Sequence, residues 1–293
     1  MQNSQADARH TEQIEAHGLK ALRLRASGSE ALVYLHGGQV ASFRTAEHGE
    51  LLWVSERAVY APGKAIRGGI PLCFPWFGAH GTEPAFPAHG FARTSEFRFE
   101  GSELRGNVVV AELSLESTRE TAPWFPHTFA ARLRVSVGPE LCVAFEVENT
   151  GATDFDYEVA LHTYLGVSDV RQVSASGLEG ASYDDKVSAE HGSVQGAEPL
   201  VFIGETDRVY DSSSRVVVTD PGRRRRTVVD KTSSRSTVVW NPWTAKAQRM
   251  ADFGDEEWPS MLCVEAANVS PHGIHLTPQS RHTTTTIVSA ETL

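Results

Sequence analysis

Cysteine is scarce and unpatterned: Cys73, Cys142 and Cys263 are the chain's 3 cysteines, far apart in sequence. An odd count with no C-x-x-C spacing excludes a disulfide framework and a zinc-finger arrangement, and a reducing, cytoplasmic setting is expected. Long hydrophobic runs are also missing. The polar start, MQNSQADARHTEQIEAHG, has no apolar signal-peptide core, and no segment approaches the roughly 18 apolar residues that span a bilayer. Basic excess is absent too: the formal net charge is -10. That balance opposes general nucleic-acid binding, which depends on neutralising phosphates with Lys and Arg. It leaves room for a small anion in a local basic pocket. Convincing amphipathic helices are almost absent, and none of the 12 histidines falls in an H-E-x-x-H or comparable ligand spacing, so no metal and no cofactor is expected.

What remains is a succession of short alternating runs separated by turn residues. Leu19–Arg25, Ala31–Leu35, Val108–Leu115, Arg132–Val137, Leu141–Glu148, Val216–Thr219 and Thr283–Val288 all read as half-buried strands. Strands without intervening helices predict an all-β fold, an antiparallel sandwich or barrel. No internal repeat or linker divides the chain, so residues 18–293 are expected to form a single domain behind a flexible tail, 1–17. Between Tyr60 and Arg93 the sequence is too rich in glycine and proline for ordinary strands, and a long ordered loop carrying Arg, His and aromatics is a candidate for function. The run Arg223–Arg226 follows Asp220-Pro221-Gly222 and reads as a hairpin with a solvated basic tip.

Two residues stand out against their strands. In DYEVALHTYL, period-two alternation puts Glu158, Ala160, His162 and Tyr164 on one face, away from the apolar Val159, Leu161 and Leu165. In SMLCVEAAN, Glu265 is the one charge in an otherwise apolar strand and shares a face with Cys263 and Ala267. A carboxylate stripped of water gains proton affinity and suits general-base work near neutrality. A salt bridge to an arginine inside the sheet is the structural alternative. On the loop, Arg67 stands beside two glycines, and His89 lies four residues before Arg93; two arginines there could clamp an anion. In ETDRVY, Asp207 could accept hydrogen bonds from ligand hydroxyls or serve a turn.

These pieces resemble the glucose-6-phosphate 1-epimerase (hexose-6-phosphate mutarotase) branch of the aldose 1-epimerase, galactose mutarotase-like, superfamily. The landmarks are AIRGGIPLCFPWFG at 65–78, PAHGFAR at 87–93, ALHTYLGV at 160–167, ETDRVY at 205–210, VVWNPW at 238–243 and CVEAANV at 263–269. The resemblance spans nearly the whole chain. It implies a large antiparallel β-sandwich with an open cleft, His162 as general acid and Glu265 as general base. It further implies substrate contacts from Arg67, His89, Arg93 and Asp207, with the two arginines on the phosphate. Where some members have glutamine this chain has Trp76, whose indole is expected to stack on the sugar. The expected partner is a small hexose phosphate met by a monomeric protein, with no metal, nucleic acid or membrane. Three other readings stand beside this one: a mutarotase for neutral aldoses, a non-catalytic carbohydrate-binding sandwich, and a glycosidase pairing Asp207 with Glu265.

Overall fold

The computed structural model describes residues 10–293. Two large antiparallel sheets dominate it. The nine-stranded sheet runs, in spatial order, from Leu200–Val201 through Ser174–Ser176, Val216–Asp220, Arg225–Thr232, Arg281–Thr292, Leu141–Asn149, Phe129–Val137 and Val108–Glu116 to Arg98–Arg105. Its central strands alternate as the sequence does: Leu141–Asn149 buries every second residue, facing the second sheet, and leaves the others partly exposed. An eight-stranded sheet packs against it, in the order Glu190–Val194, Ser182–Asp185, Thr206–Asp211, Ser236–Asn241, Met261–Asn268, Val159–Leu161 and Leu72–Cys73, with Tyr164–Gly166 also paired to Met261–Asn268. One continuous core joins the two, drawing Leu133, Val143 and Val288 from the first and Val239, Leu262 and Val264 from the second. A third sheet of five strands, Thr11–Ala16 to Gly49–Glu50, and a two-stranded one, Phe155–Tyr157 with Ile274–Leu276, complete the described fold. Among the described residues no helix is long and apolar enough to cross a membrane.

Met261–Asn268 is buried at every position. One face meets the core and the other lines a cavity, which is why its sequence is nearly continuously apolar rather than alternating. The Gly/Pro-rich segment 60–93 is anchored by Phe74, whose ring meets Phe91, Phe125, Phe129, Phe145 and Tyr157 edge-on at centroid distances of 5.2 to 6.0 Å. Such edge-to-face contacts favour one arrangement of the segment over its alternatives. The segment is therefore not loop throughout: Leu72–Cys73 joins the eight-stranded sheet at its edge.

Three expectations need correction. Thr11–Ala16, assigned to a flexible tail, is a strand in full register with Leu19–Ala26, because Leu22 and Leu24 anchor that strand in the main core and Leu19 and Ala21 bury its other face; residues 1–9 lie outside the described residues. Arg225 is not part of a solvated tip: it is 3% exposed and donates to the carbonyls of His48, Glu50 and Gly166, tying the five-stranded sheet to the eight-stranded one. Finally, the strand through His162 is interrupted at His162-Thr163. There the Thr163 N–H turns back to the carbonyl of Leu161, 2.8 Å away, while the His162 N–H still reaches the carbonyl of Pro71 beside the neighbouring strand.

Candidate active site

Strand register brings the two candidate catalytic residues together. Leu161 lies opposite Ala266 and Tyr164 opposite Cys263, so counting inward places His162 across from Glu265, while Val238 flanks Glu265 on its other side. The side chains share the cavity face. His162 Nδ1 and Glu265 Oε1 approach to 3.4 Å, and neither atom makes a hydrogen bond. Glu265 is 1% exposed and has no arginine partner among the described residues, which leaves the structural alternative considered for it without support there. His162 is fixed from two sides: the Tyr164 ring stacks on it at 4.7 Å and 10°, and Trp240 meets it edge-on at 5.9 Å.

The cavity has a volume of about 230 Å³, and Arg67, His89, His162, Asp207, Trp240 and Glu265 are among its lining residues. Its chemistry follows from burial. Desolvation, reinforced by the charges of Arg67 and Arg93, holds the His162 imidazole well below its ordinary pKa, while desolvation and nearby Asp207 push the Glu265 carboxyl well above its own. Placed here, an imidazolium is a stronger acid and a carboxylate a stronger base than either is in water. A pair at this distance can give and take one proton each across a bound molecule.

The loop supplies the opposite wall. The His89 N–H donates to the Gly78 carbonyl at 2.6 Å, and its Nδ1 accepts from Gly78 N–H at 3.2 Å, leaving Nε2 as the donor of the neutral ring. Burial, together with Arg93, Arg67 and Lys186, lowers its pKa to about 3, so it stays neutral. Gly90 makes this placement possible: at φ +71° a Cβ there would stand 1.9 Å from the Phe74 carbonyl oxygen. Gly68 plays the same part beside Arg67, with a Cβ position 2.4 Å from the Trp53 oxygen.

The remaining candidates divide. Asp207 lies opposite Trp240 and reaches the cavity, where burial raises its pKa against the opposing pull of Lys246, 3.2 Å away. Arg67 also lines the cavity, but its guanidinium is engaged: Nε and Nη2 grip the Asp252 carboxylate at 3.1 to 3.2 Å and Nη1 donates to Tyr164 Oη at 3.0 Å. Arg93 does not line the cavity; its Nη2 donates to the Ala88 carbonyl at 2.7 Å, and its charge, without an ion-pair partner among the described residues, acts on His89 and Glu265. Trp76 is elsewhere. Its indole N–H donates to the Pro87 carbonyl at 3.0 Å and its ring borders a separate hollow with Trp124 and Tyr157, so the expected stacking in the catalytic cavity is not available to it. Phe77, the next residue, faces the cavity instead.

Sequence reasoning missed Asp252, Lys186, Trp240 and Lys246 as site residues. The alternation of VVWN gave a usable signal for Trp240. For Asp252, 185 residues from Arg67, no local signal exists.

A buried imidazole–carboxyl pair on the cavity face of an antiparallel sandwich defines a mutarotase-like class of β protein. The comparisons narrow this class. The sequence pattern described as aldose 1-epimerase matches residues 20–289. A protein of Cenchrus ciliaris named "Putative glucose-6-phosphate 1-epimerase" is 39% identical over 263 residues, covering 86% of this chain and 79% of that one. A protein of the same name from Escherichia coli (strain K12) is 33% identical, covering 80% and 79%. The crystal structure of "a putative mutarotase (YeaD) from Salmonella typhimurium" superposes with a TM-score of 0.90 at 26% identity, covering 97% of this chain and 95% of that one. The chain belongs to the aldose 1-epimerase family.

Proposed function

We propose that this protein interconverts the α and β anomers of a hexose 6-phosphate, with glucose 6-phosphate the leading candidate, using His162 as general acid and Glu265 as general base. The observation that carries the reading is the pair itself: two buried, unpartnered groups of opposite proton demand, 3.4 Å apart at the cavity floor. The phosphorylated substrate is supported by the names of the relatives and by the cations around the cavity.

The C1 hydroxyl loses its proton to Glu265 while the ring oxygen receives one from His162, and the C1–O5 bond opens. Rotation about C1–C2 turns the other aldehyde face to the hydroxyl, and reclosure returns both protons. The pair reacts from its ionised tautomer, imidazolium and carboxylate, reached from the neutral pair by moving one proton over 3.4 Å; at the open-chain stage the imidazole is neutral and the carboxyl protonated, the distribution that burial favours. The enzyme therefore lowers the cost of the state that chemistry must pass through. Each positioned proton transfer contributes about 10²–10⁴-fold. His89 Nε2 and Asp207 are the hydroxyl partners in this reading, and Arg93 contributes positive charge towards the phosphate.

Anomer exchange measured by NMR tests it. Glu265→Gln and His162→Asn should each keep the fold by circular dichroism and lose at least about 10²-fold in exchange rate. Near-normal exchange in either folded variant would end that residue's assignment.

A further inference from the structure

The two arginines singled out as phosphate partners are not equally free. Arg67 spends its guanidinium on Asp252 and Tyr164. Lys246 is likewise occupied, with Glu205 at 3.1 Å and Asp207 at 3.2 Å. Lys186 is different. It lines the same cavity, yet among the described residues its ammonium has no carboxylate within ion-pair reach; the one interaction it makes is a loose one, 5.7 Å above the Phe77 ring.

Its backbone, by contrast, is held firmly. Lys186 follows the strand Ser182–Asp185 at the start of a tight turn, and its N–H donates to the Asp207 carbonyl at 2.8 Å. The turn is pinned by Asp185, whose carboxylate accepts from Val187 N–H and Ser188 N–H and pairs with Arg208 at 3.1 Å. A fixed root with a free, flexible four-carbon stem suits a cation that meets an arriving anion. Its charge is felt at His89, Asp207 and Glu265, which surround the site where the sugar would react.

We propose that Lys186 is the residue that reads the phosphate of the substrate, reaching it from the turn that follows the Ser182–Asp185 strand, and that Arg67 acts instead as a positioning residue for Tyr164 and the His162 ring stacked on it. This rests on the hexose-phosphate reading above. Two features favour an anion as the occupant. Lys186 lines a cavity whose His89 and Glu265 also feel the positive charge of Arg93, and the nearby carboxylates are already neutralised by Lys246 or, for Glu265, inclined to hold a proton. The 6-phosphate is the one group of such a substrate with charge enough to make a charge-assisted bond to an ammonium.

The test compares Lys186→Gln and Lys186→Arg with the unaltered protein, following anomer exchange on glucose 6-phosphate and on free glucose, and the inhibition constant of inorganic phosphate. Lys186→Gln should lower kcat/KM for glucose 6-phosphate about tenfold to a hundredfold, chiefly through KM, and leave free glucose within about twofold. Inorganic phosphate should inhibit it correspondingly less, and Lys186→Arg should recover most of both effects. Equal loss on the two sugars, or an unchanged phosphate inhibition constant in Lys186→Gln, would overturn the proposal. Failure of the underlying reading looks different: the unaltered protein would then show no preference for glucose 6-phosphate over glucose, whatever residue stands at 186.

Discussion

Glu265 shows how a single side chain takes its chemistry from its strand. Its neighbours Val264 and Ala266 are fully buried, and among the described residues no lysine or arginine pairs with it. The cost of that placement is the source of its basicity. Arg67 illustrates the opposite case, a charge fully spoken for. Because Asp252 and Tyr164 absorb its donors, Arg67→Met should lower kcat for glucose 6-phosphate and free glucose alike, by about tenfold, through misplacement of the Tyr164 and His162 stack. A selective rise in KM for the phosphorylated sugar would instead show that Arg67 leaves Asp252 to grip the phosphate.

At the level of elements, the site is an agreement between one strand and one loop. Met261–Asn268 carries Glu265 and sets His162 opposite it by register, while the segment 60–93 brings His89 and Arg67 over the top. The loop's path depends on close backbone approach. Gly90→Ala must move the Phe74 carbonyl or leave φ +71°, so a loss on the order of 2–4 kcal/mol is expected, with His89 displaced and activity falling. Gly81→Ala, where a Cβ meets nothing within 4 Å, is the matched control and should be neutral. Urea denaturation of both variants decides it; equal stabilities would mean that the loop is softer than its contacts imply.

For the whole molecule, the buried ionisable groups predict how stability follows pH. His89, pushed from 6.5 to about 3, is neutral in the folded state. Its stabilising contribution is complete above about 6.5 and is lost as pH falls towards 3, because only the unfolded chain then binds the extra proton. His162 acts in the same direction. Glu265 has the opposite sign: with its folded pKa raised, its contribution is complete below 4.5 and declines as pH rises through the folded value. Glu265→Gln should therefore be inactive yet more thermostable than the unaltered protein, by a margin that grows from pH 5 to pH 8.5. A melting-temperature difference that stays constant across that range would show that Glu265 does not hold its proton in the folded state.

The sequence by itself determined the all-β character, because a two-residue period with no competing helical period leaves strands as the way to bury alternate side chains. It also marked Glu265 and His162, since a lone charge in an apolar strand and a histidine on the polar face are visible without partners. Local pattern could place Glu265 and Cys263 on one face, and their polar atoms do gather with that of His162, all within 4.8 Å of one another. What it could not determine was which cations are free. Arg67 and Arg93 look alike as sequence, yet one is bound to a carboxylate 185 residues away and the other has no ion-pair partner among the described residues. Trp76 and Phe77 are adjacent, and a kinked loop rather than any alternation decided that Phe77 faces the cavity. Lys186 carries no local signal at all. Strand period is a property of neighbours in the chain, whereas the balance of charge in a cavity is a sum over residues that meet only after folding, and that sum belongs to the tertiary structure.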